Sequence, residues 1–458
     1  MIVLGINDGH NSAACLYEDG QVVAAIQEER LRRIKNWAGM PTEAIAAVLK
    51  IRGIAPDQVD AVAMNGYHVA FPMTRDDLAT EYRTINDFGI TLRRSVRRSI
   101  RRAIRPTPLY RFYRERKQTD RIRKLISMGF PQSKVLFVEH HRAHAAAAYY
   151  GLGNFEDEVL ILTCDGAGDG LCATVSIGRS GRIQRLQEVR QEHSIGNIYA
   201  MVTFLMGMVP LEHEYKLMGL APYADGRGAE QVFRELTRLI RFNPSSSLVW
   251  ERTGGCPETY LSYRFFKKLL EQRRFDCIAG GLQRFTEAIL TQWVSNCLKE
   301  TGIRRLVLGG GIFMNVKVNK LIMELPEVHD LFVYPSCGDE TNAVGAACAA
   351  YVDKAGTAKM TPLRDVYWGP QFSDDELGEA LRRFQFKTPV VWQKESGIEL
   401  TIGRLLAEGK IVARFKGREE FGARALGNRA ILANPSDPAV IRVINDAIKG
   451  REIGRAHV

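Results

Sequence analysis

Twice in this chain an apolar strand runs into an Asp-Gly turn, and the same pattern follows each time. "MIVLGINDGHNSAACLYEDGQVVAAIQEE", residues 1–29, reads as strand, acidic turn, strand, Asp-Gly hairpin and strand. "EVLILTCDGAGDGLCATVSIGRSGRIQRLQEV", residues 158–189, repeats that order with a Gly-containing hairpin. Two such openings about 155 residues apart point to duplicated α/β halves that face one another across a cleft. The competing reading is a chance likeness of two hairpins.

Downstream, "RRLVLGGGIFMNVKVNKLIMEL" (304–325) is a buried strand, three glycines and a helix. "LFVYPSCGDETNAVGAACAAYV" (331–352) is a strand, an acidic turn and a small-residue helix. Residues 354–364 read as a linker. A fresh α/β pattern then opens with the helical "SDDELGEALRRF" and leads to "ARFKGREEFGARALGNRAILANPSDP". The 458 residues leave room for two or three domains with their own cores.

No uninterrupted apolar run approaches the roughly 20 residues of a membrane helix, so no membrane span is expected. The start of the chain has no basic leader or cleavage site. Its eight cysteines are scattered without a C-x-x-C pair. That speaks against a structural zinc site and for free thiols in a reducing compartment, so the expected location is cytoplasmic.

Charge is concentrated in one place. Residues 93–124 hold fourteen Arg and Lys against Glu115 and Asp120, a net +12, so the rest of a chain carrying +11 sums to −1. Within this arm Leu92, Val96, Ile100 and Ile104 recur at the spacing of one helical face, and Pro106 and Pro108 end the helix. Two readings stand: a solvated insertion whose apolar stripe docks on the body, or a contact with a polyanion.

"FVEHHRAHAAAAYYG" (137–151) holds three of the nine histidines in five positions, at a strand-to-helix junction. His140 and His144, four apart, face the same side of a helix at a spacing suited to one metal ion, while His141 points elsewhere. An H-E-x-x-H metalloprotease needs Glu where His141 stands. Asp165 in "CDGAGDG" and Asp339 in "CGDETN" end apolar strands beside glycines and could complete the set. Two imidazoles and two carboxylates suit Fe²⁺, Mn²⁺ or Zn²⁺. A capping or core histidine cluster is the alternative. Gly309, Gly310 and Gly311 let backbone approach a ligand at a helix start, though no Walker P-loop is present; Asn315, one turn on, offers a polar contact.

Together "GINDGHNSAACLYEDG", "HHRAHAAAAYYG", "DGAGDG", "YKLMGLAPYADG", "LGGGIFMN", "GDETNAVGAA" and "EEFGARALGNRAIL" resemble, in that order and over essentially the whole chain, the O-carbamoyltransferases of the nodulation-protein and antibiotic-tailoring type. The resemblance implies a two-lobed, actin-like ATPase fold with duplicated ribonuclease H-like halves, followed by a partial α/β domain similar to carbamoyl-adenylate-forming proteins. The implied boundaries are 1–155 for the first lobe with a basic helical insertion at 92–125, 156–355 for the second lobe, and 362–458 for the partial domain. The implied reaction moves a carbamoyl group from carbamoyl phosphate, with ATP and through carbamoyl-adenylate, to a hydroxyl of a small molecule.

By the same resemblance, His140, His144, Asp165 and Asp339 match metal ligands, with iron the usual occupant. Gly310, Gly311 and Asn315 match an adenylate-holding loop; Lys216 and Tyr223 of "YKLMGLAPY" line the cleft, Lys216 as a nucleotide contact, with a helix end in ordinary packing as the alternative. His10 matches a position near the acceptor and is the candidate general base. Arg418, Arg424 and Arg429 match residues that grip carbamoyl phosphate or ATP phosphates.

Two departures stand out. Ala423 replaces the proline more usual before "RALG". The closing "IGRAHV" does not follow the family pattern, so the chain is expected to be C-terminally truncated. The rival functions are a tRNA threonylcarbamoyltransferase-like enzyme, with the basic arm on RNA, and a non-catalytic nucleotide-binding actin-like protein. "FGARALGNR" speaks against the former, because the tRNA enzymes resemble only the first part of the chain.

Overall fold

A computed structural model describes residues 1–68 and 107–448, together with the single positions Val96 and Ile100. The first sheet holds β1 (Ile2–Asn7), β2 (Ala13–Glu18), β3 (Gln21–Gln27), β4 (Ala61–Asn65) and β5 (Val135–Val138) in the order β3-β2-β1-β4-β5. β1–β2 and β2–β3 are antiparallel, whereas β1–β4 and β4–β5 are parallel. The second sheet holds β6 (Val159–Gly168), β7 (Leu171–Arg179), β8 (Arg182–Arg190), β11 (Arg305–Gly309) and β12 (Asp330–Val333) in the order β12-β11-β6-β7-β8. Its pairings repeat the first sheet strand for strand: two antiparallel hairpins, then two parallel crossovers. The likeness of the two openings therefore reflects duplicated architecture, not two chance hairpins.

The parallel strands need cover on both faces, and the cover is exchanged between the halves. Helix α1 (Thr42–Arg52), α2 (Pro108–Ser127) and α3 (His140–Leu152) belong to the first stretch of chain. Then come α4 (Ile195–Leu205), α5 (Glu214–Leu220), α6 (Gly226–Thr237), a hairpin of β9 (Ile240–Asn243) and β10 (Ser246–Arg252), α7 (Phe275–Thr301), α8 (Val316–Met323) and α9 (Asn342–Ala355). α3 packs on β6, β7 and β11 of the second sheet, while α9 packs on β1, β2 and β4 of the first, and the two helices pack on one another.

Small residues set that contact. A Cβ on Gly345 of α9 would lie 1.9 Å from the Ala143 carbonyl oxygen, and one on Gly5 of β1 would lie 1.9 Å from the Ala343 oxygen. The alanine-rich runs of both helices are thus a requirement of close approach. On its other face the first sheet meets α1 through Ile45 and Val48, and the end of α2 through Leu125. In the second half Trp250 and Trp293 meet edge to face, their indole N–H groups donating to the carbonyls of His193 and Leu248.

The predicted linker is held down where it leaves α9: Thr361 N donates to the Gly20 carbonyl and Leu363 N to that of Gly151. A second compact unit runs from Asp365 to Val458. It contains α10 (Asp374–Arg383), the helix expected from "SDDELGEALRRF" and started by a Ser373/Glu376 capping box, then α11 (Ile398–Ala407) and the hairpin β13 (Val412–Phe415)–β14 (Arg429–Leu432).

Most of the first half of the basic arm, with Leu92 and Ile104 of its apolar stripe, lies outside the described residues, and so does "IGRAHV", while Val96 and Ile100 of the stripe are exposed. The second half is α2, and there one basic residue is withdrawn from any polyanion. Arg121 is buried, with Nε and Nη2 on the two oxygens of Asp8 at 2.8 and 2.7 Å. Among the described residues no helix is long and apolar enough to cross a membrane. All eight cysteines are free thiols, seven of them buried.

Candidate metal and nucleotide site

The chain leaves β5 and enters α3 through Glu139, whose carboxylate accepts from His141 N at 2.9 Å and Arg142 N at 2.8 Å, an N-cap that fixes the helix start. His140 is therefore the first helical residue and His144 lies one turn on. Their Nε2 atoms face each other at 3.2 Å. The irregular end of β6, where its pairing with β7 is interrupted between Cys164 and Gly168, brings Asp165 to the same point, with Oδ2 3.3 Å from His140 Nε2. The turn before α9 brings Asp339, with Oδ1 3.5 Å from His140 Nε2 and 3.4 Å from His144 Nε2.

The ligand atoms of all four residues lie within 4.8 Å of one another. Around a small divalent ion with bonds of about 2.1 Å, the edges of a four-donor shell measure about 3.4 Å. Four of the six separations here run from 3.2 to 3.5 Å, so the donor set fits such an ion in spacing as well as in chemistry.

Burial opposes charge on His140, but Asp339, Asp165 and Asp169 outweigh it and raise its pKa to about 10. Burial also works against charge on Asp165, yet the hydrogen bond from His140 and the neighbouring imidazoles hold its carboxyl well below the usual range. His141 behaves differently: burial and the adjacent His140 lower it to about 3. Its Nδ1 lies 2.8 Å from the Thr163 hydroxyl, which in turn meets Thr174 at 2.6 Å, so the third histidine is turned into the β6–β7 wall.

Asp169 was not singled out from the sequence. Its carboxylate accepts from His140 N at 3.0 Å, Tyr67 N at 2.9 Å and His68 N at 3.1 Å, tying the start of α3 to the loop after β4. The signal for it was the second acid of "DGAGDG", at the tip of a hairpin where Asp169 and Gly170 both take positive φ. The glycine before it matters too, since a Cβ on Gly168 would lie 2.0 Å from His140 Cγ.

The glycine run borders the same cluster. Gly310 sits at φ +102 with its Cα against Cys164, where a Cβ would come within 2.3 Å of the carbonyl oxygen. Gly311 N donates to Asp165 Oδ1 at 3.0 Å. Asn315 is engaged internally: Nδ2 donates to Gln283 Oε1 at 2.9 Å, while Oδ1 accepts from Gln283 and caps α8 through Val318 N. Gln283, buried in α7 and also donating to Glu287, is a partner that no spacing in the sequence revealed.

His10 follows β1 in a loop held by Asn7, whose Nδ2 donates to the His10 carbonyl at 2.8 Å. Burial lowers its pKa against the pull of Asp339, Asp165, Glu29 and Glu212, so its imidazole is neutral at neutral pH. Lys216 Nζ lies 3.1 Å from His213 Nε2, and Tyr223 is exposed.

In the second unit the three arginines part ways. Arg418 donates to the carbonyls of Trp368 and Gly369, and Arg429 to those of Lys416, Gly417 and Pro370. Arg424 is exposed.

A family model described as "Carbamoyltransferase N-terminus" matches residues 2–348, and one described as "Carbamoyltransferase C-terminus" matches residues 403–455. An uncharacterised protein of Synechocystis is 28% identical over 469 residues, covering 98% of this chain and 74% of its own length. Nodulation protein NolNO of Sinorhizobium fredii is 28% identical over 447 residues, covering 97% of this chain and 61% of its own length. Among solved structures, full-length HypF in its phosphate- and nucleotide-bound form aligns at a TM-score of 0.40 and 13% identity, over 79% of this chain and 56% of that one.

Proposed function

This chain belongs to the carbamoyltransferase family, and on that premise we propose that it transfers a carbamoyl group from carbamoyl phosphate, with ATP and through carbamoyl-adenylate, to a hydroxyl of a small-molecule acceptor. The observation that carries the reading is the convergence of His140, His144, Asp165 and Asp339, with the Gly310–Gly311 backbone hydrogen-bonded to one of those four acids and imidazoles.

In this reading those four side chains hold a divalent cation, with Fe²⁺, Mn²⁺ or Zn²⁺ suited to the mixed nitrogen and oxygen donors. The cation would supply Lewis-acid stabilisation of the negative charge that develops on carbamoyl or phosphate oxygens. Gly310 and Gly311 admit the adenylate against bare backbone. His10, neutral at neutral pH, takes the proton from the acceptor hydroxyl as its oxygen attacks the carbamoyl carbon of the adenylate, and the bond from that carbon to the phosphate oxygen breaks to release AMP. In the second unit Arg424 contacts the phosphates, while Arg418 and Arg429, bonded to backbone carbonyls, shape the loop that presents it.

The test is direct. The protein, loaded with Fe²⁺ or Mn²⁺, is incubated with ATP and carbamoyl phosphate, and carbamoyl-adenylate is sought by mass spectrometry. Adenylate that forms only when both co-substrates are present supports the reading; no adenylate and no loss of carbamoyl phosphate removes it.

A further inference from the structure

Beside the four-residue cluster sits a fifth side chain whose amide nitrogen, and not its oxygen, faces the cluster. Asn342, the first residue of α9, is completely buried. Its Nδ2 lies 3.1 Å from His144 Nε2 and 3.5 Å from Asp339 Oδ1, so the carboxamide is aimed into the cluster. Its Oδ1 has no hydrogen-bond partner among the described residues, an uncommon state for a buried acceptor. With Nδ2 as the donor, His144 Nε2 must present its lone pair, which puts the ring proton on Nδ1 and leaves Nε2 in the form that ligates a metal.

A cation that takes this lone pair removes the acceptor of the amide N–H and sets two N–H dipoles against positive charge. A half-turn of the carboxamide relieves both problems, because it exchanges Nδ2 for Oδ1 at the same place and offers a carbonyl oxygen where the amide nitrogen was. We propose that Asn342 is a fifth donor to the cation, engaged through Oδ1 by this half-turn when the ion binds. The proposal rests on the cation reading of His140, His144, Asp165 and Asp339.

A fifth, carbonyl-type donor has a consequence for selectivity. Zn²⁺ is satisfied by four ligands, whereas carboxylate and carbonyl oxygens in larger number suit Mn²⁺ and its neighbours. Removing the amide should therefore weaken Mn²⁺ more than Zn²⁺.

The experiment titrates the whole chain with Mn²⁺ alone and with Zn²⁺ alone by calorimetry, and records the visible absorption of the Co²⁺-loaded protein. Wild type is compared with Asn342→Leu, Asn342→Asp and His144→Ala. The expected result is Mn²⁺ binding weakened about 10–100-fold in Asn342→Leu, by analogy with the loss of a supporting partner at a metal site. Zn²⁺ should change by less than about threefold, and the Co²⁺ bands should intensify as the coordination number falls. Asn342→Asp keeps an oxygen at both ends and should bind Mn²⁺ at least as tightly as wild type.

If Asn342→Leu leaves affinity and Co²⁺ spectrum unchanged while His144→Ala abolishes binding, the fifth-donor proposal is overturned and the four-residue site stands. If Asn342→Asp binds as weakly as the leucine variant, the amide acts as an N–H donor and the proposal is likewise overturned. Should Asn342→Leu fail to fold, the aspartate variant alone decides. If wild type binds neither ion, the cation reading itself fails and the proposal falls with it.

Discussion

Arg121 offers a quantitative test of how the first sheet is held against α2. Its guanidinium makes four hydrogen bonds: two to the Asp8 carboxylate, one to the Gly66 carbonyl at 2.6 Å and one to the Asn65 carbonyl at 2.7 Å. It also lies over the Phe137 ring at 4.9 Å. Both charged groups are buried, at 4% and 5% relative exposure, so solvent cannot take over when one is removed.

Arg121→Met leaves Asp8 buried and uncompensated and deprives two carbonyls of their donors; breaking a buried pair in this way costs about 3–5 kcal/mol. Asp8→Asn is milder, because the amide still accepts and the two carbonyls remain, and about 2 kcal/mol is expected. The double variant removes both charges together, so its loss should fall short of the sum by at least about 1–2 kcal/mol. Urea unfolding followed by the fluorescence of buried Trp250 and Trp293 reads the unit that contains the pair. With m at or above the upper end of the range for small proteins, Arg121→Met should lower the midpoint by roughly 1 M. A loss under about 1 kcal/mol, or single losses that add to within about 0.5 kcal/mol, would show that the pair is not the anchor described here.

Further variants separate the parts of the site. His144→Ala should lose bound Mn²⁺ by elemental analysis while His141→Asn keeps it; equal loss in both would refute the assignment of His141 to the wall. Gly168→Ala drives a methyl into the His140 ring and should weaken Mn²⁺ binding at least tenfold while costing about 1–3 kcal/mol of stability, readings taken by calorimetry and by urea unfolding; unchanged binding counts against the packing described. His193 gives a pH signature: burial lowers its folded pKa, and its Nδ1 accepts from Arg252 N. Below the unfolded value of about 6.5 the unfolded chain binds the extra proton. Stability is therefore fully present above about pH 6.5 and is lost as pH falls toward the folded pKa. His193→Asn should flatten that decline in urea titrations between pH 7.5 and 5, and an unaltered slope would exclude His193 as its source.

What could be read from sequence was whatever leaves a local period or turn. The Asp-Gly hairpins and apolar runs of 1–29 and 158–189 announced two sheets of the same connectivity, because alternation and turn chemistry are local properties. The four-residue spacing of His140 and His144 placed both rings on one face of α3 for the same reason. Asp169, Gln283, Asn342 and Arg121 were not legible as partners. Asp169 contacts residues 29 and about 100 positions away, Gln283 meets Asn315 across 32, and Arg121 meets Asp8 across 113. Such contacts depend on how sheets and crossover helices stack, and no window of sequence contains that information. The reading of residues 93–124 as one basic arm was misleading at Arg121 for a related reason: a charge run suggests a solvated face, yet a single member can be the buried end of an ion pair.

Duplication also bears on why the proposed cation site falls to one half of the fold and not the other. Asp8, just after β1, and Asp165, in the irregular last part of β6, stand toward the same end of the first strand in the two halves. His140 in α3 follows β5, and Asp339 with Asn342 at α9 follows β12, so these too come from matching places after the fifth strands. A symmetric pair of acidic turns would put carboxylates of both halves beside one set of helix starts. The chain resolves this differently in each half. Asp8 is neutralised by a permanent guanidinium supplied by the arm, the insertion that only the first half carries. Among the described residues Asp165 meets no fixed guanidinium; it lies against His140 and close to His144 and Asp339. On the proposed cation reading, one carboxylate is closed off as structure and its counterpart is left to a partner that can come and go. Exchanging these roles should therefore be destructive in both directions: a fixed positive charge beside Asp165, as in Gly166→Arg, should abolish cation binding without restoring any to the Asp8 turn. Calorimetry with Mn²⁺ on that variant, with folding checked by circular dichroism, measures it, and retained tight binding would contradict the division of labour between the two halves.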